Sequence, residues 1–492
     1  MQSADMNRRQ ALALLGTSAL FSSACHPSSL VKAGWTHLTA QDATVQPFGS
    51  VMKPLQGWGY NGRVAGPSLR LKRGERLKVR FENKLPQPTS VHWHGLRIPN
   101  AMDGVGSITQ PGIQNGETFD YEFEAPDSGL FWYHPHMNSE KQIAKGLFGA
   151  ILVEDEDAPI VDRDLVWTLF DWGLTENYEF PEDRAYAVWR GRKKYAFKTK
   201  ITTDGVNAPP LQLMKGERVR IRLCNTSSTR RYALKFEGHD PHIIALDGNA
   251  VEPFQLGGQP IMVGNGERVD IILDGTGSTG ASYNVVNVFE NIYHPELPPE
   301  NICQIHYASE RTLRSVSELP TVTAPAPNHI PQPDLDQAEV IDLSLDQNMH
   351  KIGDIPQIGR AGKLLAATHG VPADTIVPVW SMNGKVLFED LTTFRCAEAP
   401  PLFTCVHNKS YVLRFTNNTP TDHPMHLHGH TYLMLRKNGV PYPRKMWRDT
   451  FMVMQGETVE VAFKADNPGD WMVHCHRGLH SHGGMMGSFR VA

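Results

Sequence analysis

Gly74-Glu-Arg-Leu-Lys-Val-Arg-Phe-Glu-Asn83 and Gly216-Glu-Arg-Val-Arg-Ile-Arg-Leu-Cys-Asn225 are two copies of one pattern. Each opens on a turn dipeptide and continues as alternating apolar and polar residues, the period of a strand with one buried face. A degenerate copy, Tyr411-Val-Leu-Arg-Phe-Thr-Asn417, keeps the alternation and the closing asparagine. A second pattern recurs as Gly116-Glu-Thr-Phe-Asp-Tyr-Glu-Phe, Gly266-Glu-Arg-Val-Asp-Ile-Ile-Leu and Gly456-Glu-Thr-Val-Glu-Val-Ala-Phe. Both patterns appear three times in the same order, so the chain is expected to be all-β. Three related sandwich or Greek-key domains follow one another.

The acidic stretch 154–164 separates the first copy from the second, and the proline-rich run 319–336 separates the second from the third. The expected domains are therefore 34–156, 165–318 and 337–492, with 319–336 a semi-extended linker. The 42 glycines and 35 prolines suit a turn-rich β chain. Apolar residues at 40% and charged residues at 20% allow a packed core and argue against disorder. A net charge of −4, from 48 basic and 52 acidic residues, gives nucleic acid no basic surface. No apolar run beyond the N-terminus reaches the ~18 residues of a membrane span. Residues 1–33 read as a leader: Arg8-Arg9 precedes the apolar run from Ala11 to Ala24, which ends in small residues. The twin arginine points to the Tat route and a periplasmic, oxidising destination, and Cys25 is a candidate lipid anchor.

The histidines carry the chemistry. Chance placement of 22 histidines in 492 residues yields about one His-x-His pair. This chain has His92-Trp-His94, His134-Pro-His136, His426-Leu-His428 and His474-Cys475-His476 in repeat register. From Asn83 to His92 is nine residues, as from Asn417 to His426. From Gly116 to His134 is eighteen, as from Gly456 to His474. The corresponding middle positions hold Leu234-Lys-Phe236 and Asn284-Val-Val286, so that domain keeps the frame without the imidazoles and reads as a spacer. Residues i and i+2 of an extended segment share a face, so four pairs bring eight imidazoles to a seam between the first and third domains. Cys475 faces the other way. His423, His480 and Met485 are in range of it, and two imidazoles, a thiolate and a weak thioether form an electron-transfer copper site. A one-electron port wired through the Cys475 backbone to a multi-metal cluster suits the four-electron reduction of O2.

Taken together, His92-Trp-His94-Gly, His134-Pro-His136, His423-Pro-Met-His426-Leu-His428-Gly-His430 and His474-Cys475-His476 with His480 and Met485 resemble the copper signatures of multicopper oxidases. The resemblance spans nearly the whole mature chain. It implies three cupredoxin domains and four coppers per chain: one type 1, one type 2 and a type 3 pair. It implies His423, Cys475, His480 and Met485 at type 1, and His92 and His426 at type 2. His94, His134, His136, His428, His474 and His476 fall to type 3, while His430 and His482 are not ligands. Asp103, nine residues after His94, stands where the family keeps an acid that feeds protons to the cluster; a turn role is the bland alternative. The resemblance also implies an acid before the axial ligand, where this chain has Ser481-His482-Gly483-Gly484, so His482 or water takes its place. Met486 is a frame-shifted rival to Met485.

The catalytic set expected is thus Cys475, His474, His476 and Asp103, with O2 as acceptor and a small-molecule or metal-ion donor. Met349 is the only methionine between Gln337 and Val379, which favours laccase-like oxidation of phenols or aromatic amines over cuprous oxidation. Electrons are expected to enter at a solvent-exposed edge of His423 or His480. A non-enzymatic exported structural protein that has lost its coppers predicts missing ligands, and a copper nitrite reductase predicts two domains; neither matches, while an exported copper-binding protein without turnover is the alternative that oxygen uptake decides. For Cys224, Cys303, Cys396 and Cys405, disulfides 224–303 and 396–405 stand beside free buried thiols as equal readings. A monomer is expected.

Overall fold

The structure, a computed structural model, describes residues 29–30, 34–46, 53–154, 157–174, 180, 196–203, 206–207, 210–351, 374, 376–387, 389–390, 395–396 and 400–492. Arg8, Arg9 and Cys25 lie outside them. Ser29–Leu30, inside the stretch expected as leader, pairs in parallel with Leu69 and Arg70 and belongs to the first sandwich. Among the described residues no helix is long and apolar enough to cross a membrane.

The fold is all-β, three cupredoxin-like sandwiches in series. In each, one sheet is built on a parallel pair flanked by an antiparallel strand. Thr36–Val45, Arg76–Asn83 and Thr118–Glu124 form this trio in the first sandwich. Arg163–Leu174, Arg218–Asn225 and Arg268–Asp274 form it in the second. Glu339–Lys351, Ser410–Asn417 and Thr458–Lys464 form it in the third. Leu77, Val79 and Phe81, like Leu413 and Phe415, point inward to their own cores.

The two repeated patterns are bonded to each other. In each sandwich the asparagine closing the first strand exchanges backbone hydrogen bonds with the Gly-Glu of the second: Asn83 with Gly116-Glu117, Asn225 with Gly266-Glu267, Asn417 with Gly456-Glu457. The asparagine side chains are buried and fully used. Asn83, for example, donates to the carbonyls of Gln87 and Ile113 and accepts from the Leu85 amide. A buried amide left unpaired would cost about 1–3 kcal/mol, which explains the recurrence of this residue at the strand end. The glycines of the five Gly-Glu turns have φ between +72° and +83°, where a Cβ is strained. Each following glutamate accepts from the amide three residues back, as Glu75 does from Lys72 and Glu457 from Met454. In the degenerate copy Asn408, at φ 66°, takes the glycine's place.

The second sheets hold the histidine strands. His92–His94 pairs with Gly129–His134, placing His92 opposite His134. His423–Leu427 pairs with Gly469–Cys475, placing His426 opposite His474. The equal spacings are thus the same cross-strand pair in two sandwiches. In the middle sandwich Leu234 lies opposite Asn287, not Asn284. The loop between Asp274 and Ser282 is three residues longer than that between Glu124 and Gly129, which moves the register. Neither asparagine changes the absence of imidazole there.

The proline-rich run is more than a spacer. Asn328 donates to Ser128 and Gly248, joining the first two sandwiches, and Ser410 accepts from the Asp334 amide. The disulfide alternative for Cys224–Cys303 and Cys396–Cys405 fails: Cys224, Cys303 and Cys405 are free thiols. On the strand Arg218–Asn225, Val219, Ile221 and Leu223 face the middle core, while Cys224 packs with Leu130, Trp132 and Ile143 of the first sandwich. Cys303 packs against the middle core, so the two sulfurs serve opposite faces. The side chain of Cys396 lies outside the described residues.

Candidate metal centre

Eight imidazoles converge where the first and third sandwiches meet. His92 stacks on His428 at 3.9 Å between ring centroids, and His94 stacks on His426 at 3.8 Å. Each stack joins the two sandwiches. His136 and His428 bring their Nε2 atoms to 3.4 and 3.2 Å from Nε2 of His474. His476 lies 4.8 Å from His94 and 5.2 Å from His134, centroid to centroid. Three-residue sets whose donor atoms all lie within 4.8 Å of one another include His92-His426-His428, His92-His94-His134 and His136-His428-His474.

The nitrogens are arranged for a cation. Nδ1 of His92 donates to the Asp103 carbonyl at 2.8 Å, and Nδ1 of His426 to the Asp449 carbonyl at 2.9 Å. His134 and His474 bond the carbonyls of Pro135 and Cys475 in the same way. The second nitrogen of His92, His134 and His426, and Nδ1 of His94, is buried with no partner. A ring tied by one nitrogen and bare at the other is what a metal ligand needs. Burial holds the pKa of His94, His134, His136, His426, His428 and His476 well below the ordinary value, and that of His474 at about 4. The rings are therefore neutral donors at neutral pH.

Two aspartates complete the frame. Asp103, at the end of a 3-10 turn, places Oδ2 2.9 Å from Nδ1 of His428 and Oδ1 3.2 Å from Nδ1 of His92. Asp449 does the converse from the third sandwich. Its carbonyl accepts from His426 and its Oδ1 lies 3.2 Å from Nε2 of His94, with Thr450 Oγ1 3.0 Å from both rings. Each aspartate holds its own sandwich's first histidine by the main chain and the other sandwich's second by the carboxylate. Asp449 escapes sequence reading because it follows His428 by twenty-one residues, against nine from His94 to Asp103; the hairpin between intervenes.

Cys475 faces away from its neighbours. Its Sγ lies 3.6 Å from Nδ1 of His480, which lies 3.0 Å from Nδ1 of His423, all three buried. Met485 is fully buried in the same core cluster as Cys475, and its main chain bonds both Cys475 and His480. Met486 packs instead with Val105, Leu387 and Met472. Burial pushes the thiol up to about 12, so a metal entering here displaces a proton. The expected solvent-exposed edge is not found. His423 is 0% and His480 3% exposed. The indole of Trp380 stacks on His480 at 4.0 Å and meets His423 edge-on at 5.4 Å. His430 sits among Phe463, Trp471 and Phe489 with Nδ1 on the His428 carbonyl at 3.2 Å, and among the described residues it joins none of the donor sets. The Ser481 hydroxyl is spent on the Gly478 carbonyl, but the buried Glu140 packs against Gly478 from the first sandwich.

Multicopper oxidase family models match residues 39–158, 164–308 and 372–492. The chain belongs to the multicopper oxidase family. A multicopper oxidase of Mycobacterium tuberculosis is 27% identical over 91% of this chain and 85% of its own length. A laccase of Pycnoporus cinnabarinus is 26% identical over 91% and 88%. Among solved structures, a multicopper oxidase of Pseudomonas thermotolerans matches with TM-score 0.75 and 27% identity over 93% and 99% of the two chains. Lac15, from a marine microbial metagenome, matches at 0.69 and 29% over 93% and 100%. As a multicopper oxidase, the chain is a copper-dependent oxidoreductase that uses O2. The donor set fits that metal: thiolate and imidazole select copper over hard cations.

One consequence of the buried imidazoles is measurable without copper. The folded pKa values of His94, His134, His136, His423, His426, His428, His474, His476 and His480 lie below the ordinary value of 6.5 that the unfolded chain retains. Below that pH the unfolded chain takes up protons that the folded one refuses, so this stability is present above pH 6.5 and lost on acidification. Burial sets the lower limits, at about 3 for His423 and about 4 for His474. The copper-free oxidase is expected to show a falling thermal midpoint between neutral and mildly acid pH. A flat profile would contradict neutral burial.

Proposed function

We propose that this multicopper oxidase couples one-electron oxidation of phenols or aromatic amines to the four-electron reduction of O2 to water, with four coppers per chain. His423, Cys475, His480 and Met485 hold the type 1 ion; His92 and His426 hold the type 2 ion. His94, His134 and His476 hold one type 3 ion, and His136, His428 and His474 the other. The observation that carries the reading is the placement of Cys475, whose side chain joins one imidazole pair while its flanking residues belong to the eight-ring cluster. When bound, copper supplies the one-electron steps and the reduction of O2.

The chain's own groups do the rest. The main chain at Cys475 gives a covalent route between the two sites. The Asp103 carboxylate holds His92 and His428 and stands ready to carry a proton at Oδ2. Trp380 covers His480, so a donor transfers its electron across the indole rather than by touching an imidazole. Phenol oxidation is supported by the laccases among the relatives and by the lack of a methionine-rich stretch between Gln337 and Val379. The test is copper content by elemental analysis together with O2 uptake on a phenol, an aromatic amine, Cu⁺ and Fe²⁺. Four Cu per chain and fastest uptake with the aromatic donors are expected. Uptake on the metal ions alone would move the assignment to a metallo-oxidase.

A further inference from the structure

The middle sandwich holds none of the clustered imidazoles, yet it reaches them. Arg268 is 0% exposed, and its guanidinium bonds all three sandwiches. Nε donates to the Leu130 carbonyl of the first at 3.1 Å. Nη1 donates to the Gly266 carbonyl of its own sandwich at 3.1 Å and to Asp449 Oδ1 of the third at 2.7 Å. Nη2 donates to the Asp247 carbonyl at 3.3 Å and to Asp449 Oδ2 at 2.5 Å. Asp247 in turn accepts from the amides of Asp449 and Thr450 and from Arg448.

The fit leaves no slack. A Cβ on Gly95, the residue after His94, would lie 2.3 Å from Arg268 Nη2 and 2.6 Å from Asp449 Oδ2. A Cβ on Gly266 would lie 2.9 Å from His94 Cε1 and 3.0 Å from His476. The middle sandwich therefore presses a turn and a charged fork directly onto cluster rings. Asp103, the counterpart of Asp449, bonds two imidazoles and, among the described residues, no arginine.

We propose that Arg268 is a positioning residue of the copper cluster. Its planar fork fixes the Asp449 carboxylate, and through Asp449 and Thr450 it fixes the stacked pair His94 and His426 contributed by two different sandwiches. A bidentate fork sets the plane of a carboxylate in a way a lysine does not. Partners behind metal ligands tune binding by about 10–100-fold. The middle sandwich is then part of the metal site, not a spacer. This rests on the copper reading of the imidazoles above.

The test compares wild type, Arg268→Lys, Arg268→Gln and the double variant Arg268→Gln/Asp449→Asn. Copper titration, the blue absorption band and the electron paramagnetic resonance signal of the non-blue copper are the readouts. Arg268→Lys keeps the buried charge and is expected to keep the blue band, while its cluster affinity falls by about 10–100-fold and the non-blue signal changes. The double variant is expected to remain deficient. Full copper and an unchanged signal in Arg268→Lys would overturn the proposal. So would recovery of cluster copper in the double variant, since Arg268 would then only balance a charge. Arg268→Lys decides the matter if Arg268→Gln does not fold. A wild type that binds no copper would instead defeat the copper reading itself.

Discussion

Replacing Cys475 with serine is expected to abolish the blue absorption band and O2 uptake together while copper remains in the cluster. Among the described residues the Cys475 thiol completes a metal-binding set with His423 and His480, and a hydroxyl is a poor substitute for a soft thiolate. Losing outer partners of a ligand costs up to about 100-fold, and losing the ligand itself is expected to exceed that. The cluster survives because its geometry does not use the sulfur. His474 is held by the Cys475 carbonyl and by pairing with His426 and Met486, and His476 by its amide bond to the Pro424 carbonyl. Absorption spectroscopy, elemental analysis and an oxygen electrode read the three consequences separately. A blue Cys475→Ser protein, or one stripped of all copper, would refute the division into two sites.

Asp103→Asn is expected to lower turnover by about 10–100-fold with the blue band intact. The change keeps volume at a residue that is 1% exposed, so packing is conserved. The carboxylate accepts toward both His428 and His92. An amide has one acceptor and one donor, so one ring N–H would face an N–H. The charge that carries a proton at this point is also gone. Among the described residues the Asp103 bonds to histidine go to His92 and His428 of the cluster, which is why the blue site should report no change. Turnover equal to wild type would return Asp103 to a turn-capping role, and loss of the blue band would mean that the two sites are not separable.

The histidine register was legible because it is local. Nine and eighteen residues of alternating strand, counted from a turn, carry His92 and His426, and His134 and His474, to matched cross-strand positions. The same count failed in the middle sandwich, where a longer loop displaced the partner of Leu234 by three residues. Asp449 was invisible for a related reason: a hairpin separates it from His428, so no fixed interval marks it as the counterpart of Asp103. Trp380 gave no signal either. Its stacking on His480 joins the strand Ile376–Met382 to the short helix Gly478–His482, about a hundred residues on, and both histidines are buried where an exposed edge was expected for donor access.

Alternation, turn dipeptides and paired histidines determined three repeated β-sandwiches, a set of candidate metal ligands and its division by the inward and outward faces of one strand. These properties depend on bond geometry over a few residues, where the side-chain period is set by the backbone. The tertiary structure decided the thiol state of Cys224 and Cys303, the cover over His480 and the Arg268–Asp449 fork that spans 181 residues of sequence. The Trp380 cover joins two distant segments of the third sandwich, and the fork arises where all three sandwiches meet; neither kind of contact leaves a periodic trace in the sequence.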